Sequence, residues 1–420
     1  MKSKKVYSMI LALVLVTVAA AAAAGPAATG APVSGAAPVT AGPVSDLKEA
    51  ATGEDLAVVR QSPAQVSAAA LETTAEAAVL MDAATGKVLW SKEKDKELPM
   101  ASVTKIMTLL LACEALEQGK ISLDDRVTVS ENAWGMGGSQ IYLEPGEEMN
   151  MRDMLISVAV GSANDASVAV AEHIAGSEEA FVEIMNSRAG ELGCRHTRFA
   201  NPTGLPAENH YTSAQDMAVI LRQALACPHF TKISSIYRYD IRGGDFVLWN
   251  TNKLLKWYQG ADAGKTGWTN EAKYCLAATA KREDLRLISV VLGTPEPRSH
   301  FRETMKIFNY GFARYEAVHF AQSGERIKTV KVGKGTIDQV GVIAGADIAM
   351  AVPKGQKQNY RGQALLPEEI TAPLNKGQKV GDFVLLEGDK EVQRVPLLAQ
   401  NQVGRASVFR QMHKALEQIF

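Results

Sequence analysis

The sequence predicts a mixed α/β domain, a small all-β domain behind it, and a closing amphipathic helix. Three observations carry that prediction. Strand-like apolar alternation flanks a run of helical segments between about residues 77 and 312. From about 317 to 400, short Val- and Ile-rich runs alternate with glycine turns. The last twenty residues return to a helical period.

The bulk composition permits this plan. The 420 residues are 46% apolar and 22% charged, enough to bury the cores of two domains. Lys plus Arg (45) nearly equals Asp plus Glu (46), so the chain lacks the basic footprint of a nucleic-acid binder.

At the N-terminus, Lys2, Lys4 and Lys5 precede an apolar run from Met9 to Ala24 and then Gly25-Pro26. A basic start, an apolar centre and small residues form an export signal, predicted over 1–24. A retained anchor is the other reading of the same run. Either way the remainder lies outside the cytoplasm. Residues 25–70 are rich in Ala, Pro, Gly, Val and Ser and contain no aromatic residue. Such a segment cannot bury enough apolar surface to order itself, and it reads as a spacer.

The elements follow in order. Val79 to Met81, a turn at Thr85-Gly86, and Val88 to Trp90 predict a hairpin, with order starting near Ala77. After Pro99, Leu109, Leu110, Cys113 and Leu116 mark a long helix stopped at Gly119. Met151 to Ile174 reads as two helical pieces interrupted by "GSAND". A helix over 178–192 places Phe181, Ile184, Met185 and Leu192 on one side. "YTSAQDMAVILRQAL" is a helix capped by Thr212 or Ser213. "YCLAATAKREDLRLISVVLG" predicts two paired strands around a turn at Lys281 to Asp284, and "RETMKIFNYGF" a helix ending the domain. The predicted boundaries are 71–315 for the α/β domain, 316–400 for the β domain and 401–420 for the final helix.

Three short patterns could carry chemistry. Ser102-Val103-Thr104-Lys105 puts a hydroxyl and an amine on one helix face. A serine needs a nearby base to become a nucleophile, and a lysine serves only with a lowered pKa. By itself the pattern is usually a solvated pair. Ser162-Ala163-Asn164 sits in the interruption between two apolar helical pieces. There it is either a plain turn or a proton relay (Ser162) beside an amide that holds substrate (Asn164). Lys265-Thr266-Gly267 lies just before the strand predicted near Lys273. Lys265 is then a second cation that depresses Lys105, and Gly267 permits close backbone approach. The four cysteines match no metal spacing, Cys113 reads as core, and their pairing stays open.

Together, in this order, the three patterns are the set found in penicillin-binding proteins and class A β-lactamases. The chain resembles the low-molecular-mass penicillin-binding proteins, the serine D-alanyl-D-alanine carboxypeptidases of spore-forming and related bacteria. The blocks "YLEPGEEM", "SANDASVAVAEHIAGS", "FANPTGLPAENHYTSAQDMA" and "NTNKLL" extend the resemblance over about residues 75 to 400. It implies the penicillin-binding/β-lactamase-like transpeptidase fold and removal of the terminal D-alanine from peptidoglycan stem pentapeptides. It also implies the site roles. Ser102 is nucleophile and Lys105 base. The backbone N–H groups of Ser102 and Trp268 form the oxyanion hole, Thr266 and Gly267 contact substrate, and β-lactams leave an ester on Ser102. No metal or organic cofactor is expected.

Two positions depart from the family pattern. Ala263 stands in Asp262-Ala263-Gly264 where glycine is usual, and His300, flanked by Arg298 and Arg302, stands where the family carries an arginine near the substrate carboxylate. The alternatives are a D,D-endopeptidase or β-lactamase on the same core, and a catalytically silent wall-binding protein. No Glu between Asn164 and Lys265 has a convincing deacylating context. In the tail, Val408, Phe409, Met412, Ala415, Leu416, Ile419 and Phe420 share one helical side. Too short and polar to span a bilayer, it suits an interfacial helix on the outer face of the cytoplasmic membrane. A helix docked on the β domain is the other reading.

Overall fold

In the computed structural model, strand alternation sorts side chains to the two faces of one central sheet. The structure describes residues 71–417. The expected export signal and spacer, and the last three tail residues, lie outside them. Strands β1 (Ala77–Asp82) and β2 (Val88–Lys92) form the anticipated hairpin. On β1, Ala77, Val79 and Met81 enter one core while Ala78 and Leu80 enter another. Both faces are covered, which is why this strand is apolar at every position but its last.

The first core holds most of the helices. α1 (Lys105–Glu117) follows a single 3₁₀ turn, Ala101–Thr104, so the Ser102 turn is tighter than the single helix expected. Beyond it, β3 (Arg126–Thr128), α2 (Glu131–Trp134), β4 (Glu148–Asn150), α3 (Met151–Ile156), α4 (Asn164–Ala175), α5 (Glu178–Glu191), α6 (Ala214–Ala226) and α7 (Pro228–Ser234) complete this lobe. Ser213 caps α6 by accepting from Asp216 N, as one of the two predicted caps. On α5, Phe181 and Met185 are buried, but Ile184 is exposed, contrary to its predicted side.

The sheet is then completed from later sequence. A hairpin, β5 (Arg238–Ile241) with β6 (Phe246–Trp249), and the one-turn α8 (Leu254–Trp257) were not anticipated, because four-residue runs carry too little periodicity. β7 (Ala261–Thr269), β8 (Lys273–Arg282) and β9 (Leu285–Thr294) give the order β2-β1-β9-β8-β7, antiparallel throughout. Lys265 to Gly267 therefore lie inside a strand, not before one, and that strand is the sheet edge. α9 (Ser299–Arg314) packs on β8 and β9 in the second core.

Tyr315 ends α9 and opens the β domain. There β10 (Tyr315–Ala321), β11 (Arg326–Gly333), β12 (Gln339–Ala344), β13 (Ile348–Pro353), β14 (Tyr360–Leu365), β15 (Glu369–Thr371), β16 (Lys379–Glu387) and β17 (Lys390–Ala399) form a β10–β13 ribbon and a six-stranded sheet. This domain continues past the expected limit at 400. Val403 pairs with Leu374 and is buried, and Ala406 is buried too. Only then comes α10 (Val408–Glu417). Among the described residues, no helix is long and apolar enough to cross a membrane.

Candidate active site

Each of the three patterns is presented by a local device. Ala101 adopts positive φ, and Thr104 Oγ1 donates to its carbonyl at 2.8 Å. His210 supports that hydroxyl. Its Nδ1 accepts from Ala200 N at 2.9 Å, so Nε2 carries the proton and donates to Thr104 Oγ1 at 2.8 Å. Burial, then the charge of Lys105, pushes His210 down to about 4, which keeps this neutral tautomer. The second device is a π-turn at Ser157–Gly161, after which Ser162 is left-handed (φ 62°, ψ 26°). Such widened turns and non-glycine left-handed residues cluster at functional sites. The third is the β7 edge, with Lys265 opposite Ala277 and Gly267 opposite Cys275.

Glycine is required where these devices touch. A Cβ on Gly204 (φ 86°) would lie 2.8 Å from Ser102 N and collide with the Ala101 carbonyl. One on Gly267 would stand 2.9 Å from Met100 O and 3.0 Å from Ser102 N.

The patterns converge on Lys105. Its Nζ is 3.1 Å from Ser102 Oγ and 2.6 Å from Asn164 Oδ1, and it donates to the Thr203 carbonyl. Lys105 is fully buried. Burial and the nearby Lys265 hold its pKa well below the ordinary lysine value, with buried Asp165 opposing weakly. As a neutral amine it can donate to Asn164 and Thr203 and accept from the Ser102 hydroxyl, the arrangement of a general base. Lys265, also buried, is pushed down to about 7 by desolvation and donates to Thr266 O at 3.1 Å.

Ser102, Ser162, Thr266, Gly267, Trp268 and His300 line one cleft of about 420 Å³, with Asn164, Lys105 and Lys265 beneath it. The structure thus brings all nine expected site residues together, but His300 differs in character. It is buried, stacked on Tyr274 (5.5 Å, 7°) and against Phe301 (4.0 Å), and burial pushes its pKa down to about 4. It is a neutral ring and cannot replace an arginine as a cation. Arg302 pairs with Glu296 at 2.9 Å outside the cleft, while Arg298 lines it. Ala263 is buried in the helical core. Among the described residues, none of those lining the cleft is acidic.

Sequence reasoning missed several supports. Asp165 accepts from Ile141 N at 3.0 Å and Leu143 N at 3.2 Å and so fixes the loop that places Ser139 on the cleft. The Gly137 carbonyl takes the Asn164 amide at 2.6 Å, and Thr251 takes the Thr266 hydroxyl at 2.7 Å. Asp165 adjoins a motif residue, and Thr203, Gly204 and His210 fall within a recognised block, so position alone could have flagged them.

Comparison with known proteins agrees with this geometry. The family model described as D-alanyl-D-alanine carboxypeptidase matches residues 64–296, and that of the penicillin-binding protein 5 C-terminal domain matches residues 315–405. The D-alanyl-D-alanine carboxypeptidase DacF of Bacillus subtilis is 43% identical over 79% of this chain and 86% of its own. DacC of Escherichia coli is 34% identical over 80% and 86%. The crystal structure of penicillin-binding protein 5 from Haemophilus influenzae superposes with a TM-score of 0.66 at 34% identity, covering 80% of this chain and 99% of that one.

Proposed function

The chain belongs to the D-alanyl-D-alanine carboxypeptidase family of penicillin-binding proteins, and from that premise we propose how its residues divide the reaction. The enzyme removes the terminal D-alanine of peptidoglycan pentapeptides through a serine acyl-enzyme, and β-lactams intercept the same serine. Ser102 attacks the penultimate D-alanine carbonyl while neutral Lys105 takes its proton. The backbone N–H groups of Ser102 and Trp268 hold the oxyanion. Ser162 hands the proton to the leaving amine, and water then cleaves the ester.

Substrate lies along β7, whose free edge can accept an extended peptide. Asn164 holds its amide, and Thr266 and Arg298 read the terminal carboxylate. The observation that carries this reading is the position of Lys105 Nζ between Ser102 Oγ at 3.1 Å and Asn164 Oδ1 at 2.6 Å. The decisive test is mass analysis of a pentapeptide digest by wild type and Ser102→Ala, with fluorescent penicillin as a second readout. Covalent label on the folded Ser102→Ala variant sinks the assignment. Cleavage of cross-linked stem-peptide dimers to monomers, without release of free D-alanine from pentapeptide, identifies a D,D-endopeptidase instead.

The course of the elements supports a catalytic domain ending near Arg314, a β domain running to about Ala406, and a tail helix. The chain acts outside the cytoplasm, led there by residues 1–24, with α10 lying on the outer face of the cytoplasmic membrane. Exposed Val408 (70%), Phe409 (86%) and Met412 (60%) support that attachment. Arg410 reaches Asp338 of the β domain at 3.8 Å, which holds the helix start without covering those side chains.

A further inference from the structure

The turn that carries Ser102 is not held by its own ends. Met100, at its start, makes no side-chain capping bond, and Ala101 holds a positive φ of 47° without being glycine. A conformation of that kind persists only where its surroundings fix it. Thr104 stands at the N-cap of α1, where a threonine hydroxyl ordinarily accepts from the helix. Here it makes no capping bond and turns back to the Ala101 carbonyl at 2.8 Å.

The direction of that bond is set from outside the turn. A backbone N–H can only donate, so Ala200 N fixes His210 Nδ1 as an acceptor at 2.9 Å. The neutral ring then carries its proton on Nε2, which lies 2.8 Å from Thr104 Oγ1. A threonine hydroxyl has one proton to give. Because it accepts from His210, that proton is committed to Ala101. The result is one directed chain, from Ala200 N–H through His210 and Thr104 to the Ala101 carbonyl. His210 is 7% exposed and packs against the Phe199 ring at 6.2 Å. Its neighbours are tied down as well, Tyr211 to Arg198 and Thr212 to Leu98.

The same loop serves Lys105. Asn201 Oδ1 accepts from Thr203 N at 3.1 Å and Gly204 N at 2.7 Å, which shapes the turn that offers the Thr203 carbonyl to Lys105 Nζ. Thr108, one helical turn after Thr104, donates to Pro202 O at 2.7 Å. Thr104, Lys105 and Thr108 thus join the start of α1 to residues 202–210. The His210 link is the one that reaches back into the nucleophile turn.

We propose that His210 is a positioning residue for acylation. By donating to Thr104 Oγ1 it holds the Ala101–Thr104 turn so that Ser102 Oγ faces Lys105 and Ser102 N–H faces the oxyanion. The inference rests on the reading of Ser102 as nucleophile. His210 does not line the cleft and acts through Thr104. Its loss therefore slows the chemical step and leaves the initial complex alone. A residue needed only for the fold would instead reduce the amount of active protein without changing its rate constants.

The test is stopped-flow acylation by a fluorescent penicillin, which separates the dissociation constant of the initial complex from the acylation rate constant. Peptide mapping of labelled wild type comes first. Label on another residue overturns the nucleophile assignment and this inference with it. Label on Ser102, the expected result, isolates the role of His210. His210→Ala is then expected to slow acylation by about 10- to 100-fold with the dissociation constant unchanged. Thr104→Val should behave alike, and the double variant should be no slower than the slower single one, because both cut one chain. Thr104→Ser, which keeps the hydroxyl, should retain most of the rate. A wild-type rate constant in His210→Ala, a loss confined to the dissociation constant, or effects that multiply in the double variant each overturn the proposal. Where His210→Ala fails to fold, the two Thr104 variants decide, and equal acylation rates for valine and serine overturn it.

Discussion

The catalytic domain and the β domain handle polar groups in opposite ways. Beneath the cleft, Lys105, Lys265, Asp165, Asn164 and His210 are all buried, each facing others of the set or a backbone group. The β-domain core is built from Val, Leu, Ile, Ala, Met, Phe and Tyr360, and its charges pair at the surface, as Arg361 with Asp389 and Arg394 with Glu391. Burying a cation disfavours its charged form, so only the first arrangement shifts a lysine toward the amine that chemistry needs. The second arrangement leaves its charges at the surface, where exposed pairs contribute little to stability. Even where the domains meet, the contrast holds. Buried Asp82 accepts from Ala351 N at 3.0 Å, while Lys87 and Glu387 pair at 3.1 Å with both side chains well exposed.

The largest expected effect comes from breaking the buried network. Lys105→Ala is expected to slow penicillin acylation by roughly 10²- to 10⁴-fold while circular dichroism shows a folded chain. Gly204→Ala tests the same network through the backbone. Its methyl group must displace the Ser102 turn, so labelling should fall sharply although no polar group is lost. Unchanged labelling would mean the turn is soft.

A pH profile sharpens the electrostatic half of the contrast. In the proposed mechanism Lys105 reacts as the amine, so acylation is expected to decline as pH falls through its depressed pKa. Lys265 contributes to that depression, so Lys265→Gln raises the Lys105 pKa and moves the acid limb to higher pH. A limb that stays in place in stopped-flow acylation refutes the coupling.

Arg298→Ala is expected to raise KM for pentapeptide by about 10- to 100-fold, the loss of one charged hydrogen-bond partner, and to leave a C-terminally amidated peptide unaffected. His300→Gln, which keeps a neutral side chain, is expected to change the two substrates equally. Deleting residues 408–420 should move a leaderless protein from the membrane to the soluble fraction with labelling intact. Starting the deletion at 401 would also remove Val403 from the β-domain core and confuse the result.

The smallest effects lie at the domain junction. Asp82→Ala should lower stability by about 1–3 kcal/mol in denaturant titrations, because the buried Ala351 N–H loses its acceptor. Lys87→Ala should change it by less than about 1 kcal/mol.

Much of this molecule was determined by local sequence. Strand alternation in "AAVLM" and "LRLISVVLG", the Ser213 cap and the break at "GSAND" are short-range signals, and the structure follows them. The proposed nucleophile Ser102 and base Lys105 were legible because their spacing on one turn of helix forces proximity, whereas Ser162, distant in the chain, was legible only through the family resemblance. What only the tertiary structure decided depends on groups distant in the chain. The carbonyls of Gly137 and Thr203 became partners of Asn164 and Lys105 through folding. His300 lost its charge because Tyr274 and Phe301 enclose it, and Arg298 lines the cleft while Arg302 pairs with Glu296 outside it. Burial sets a side chain's charge, and burial is a property of the packed fold that no local stretch of sequence specifies.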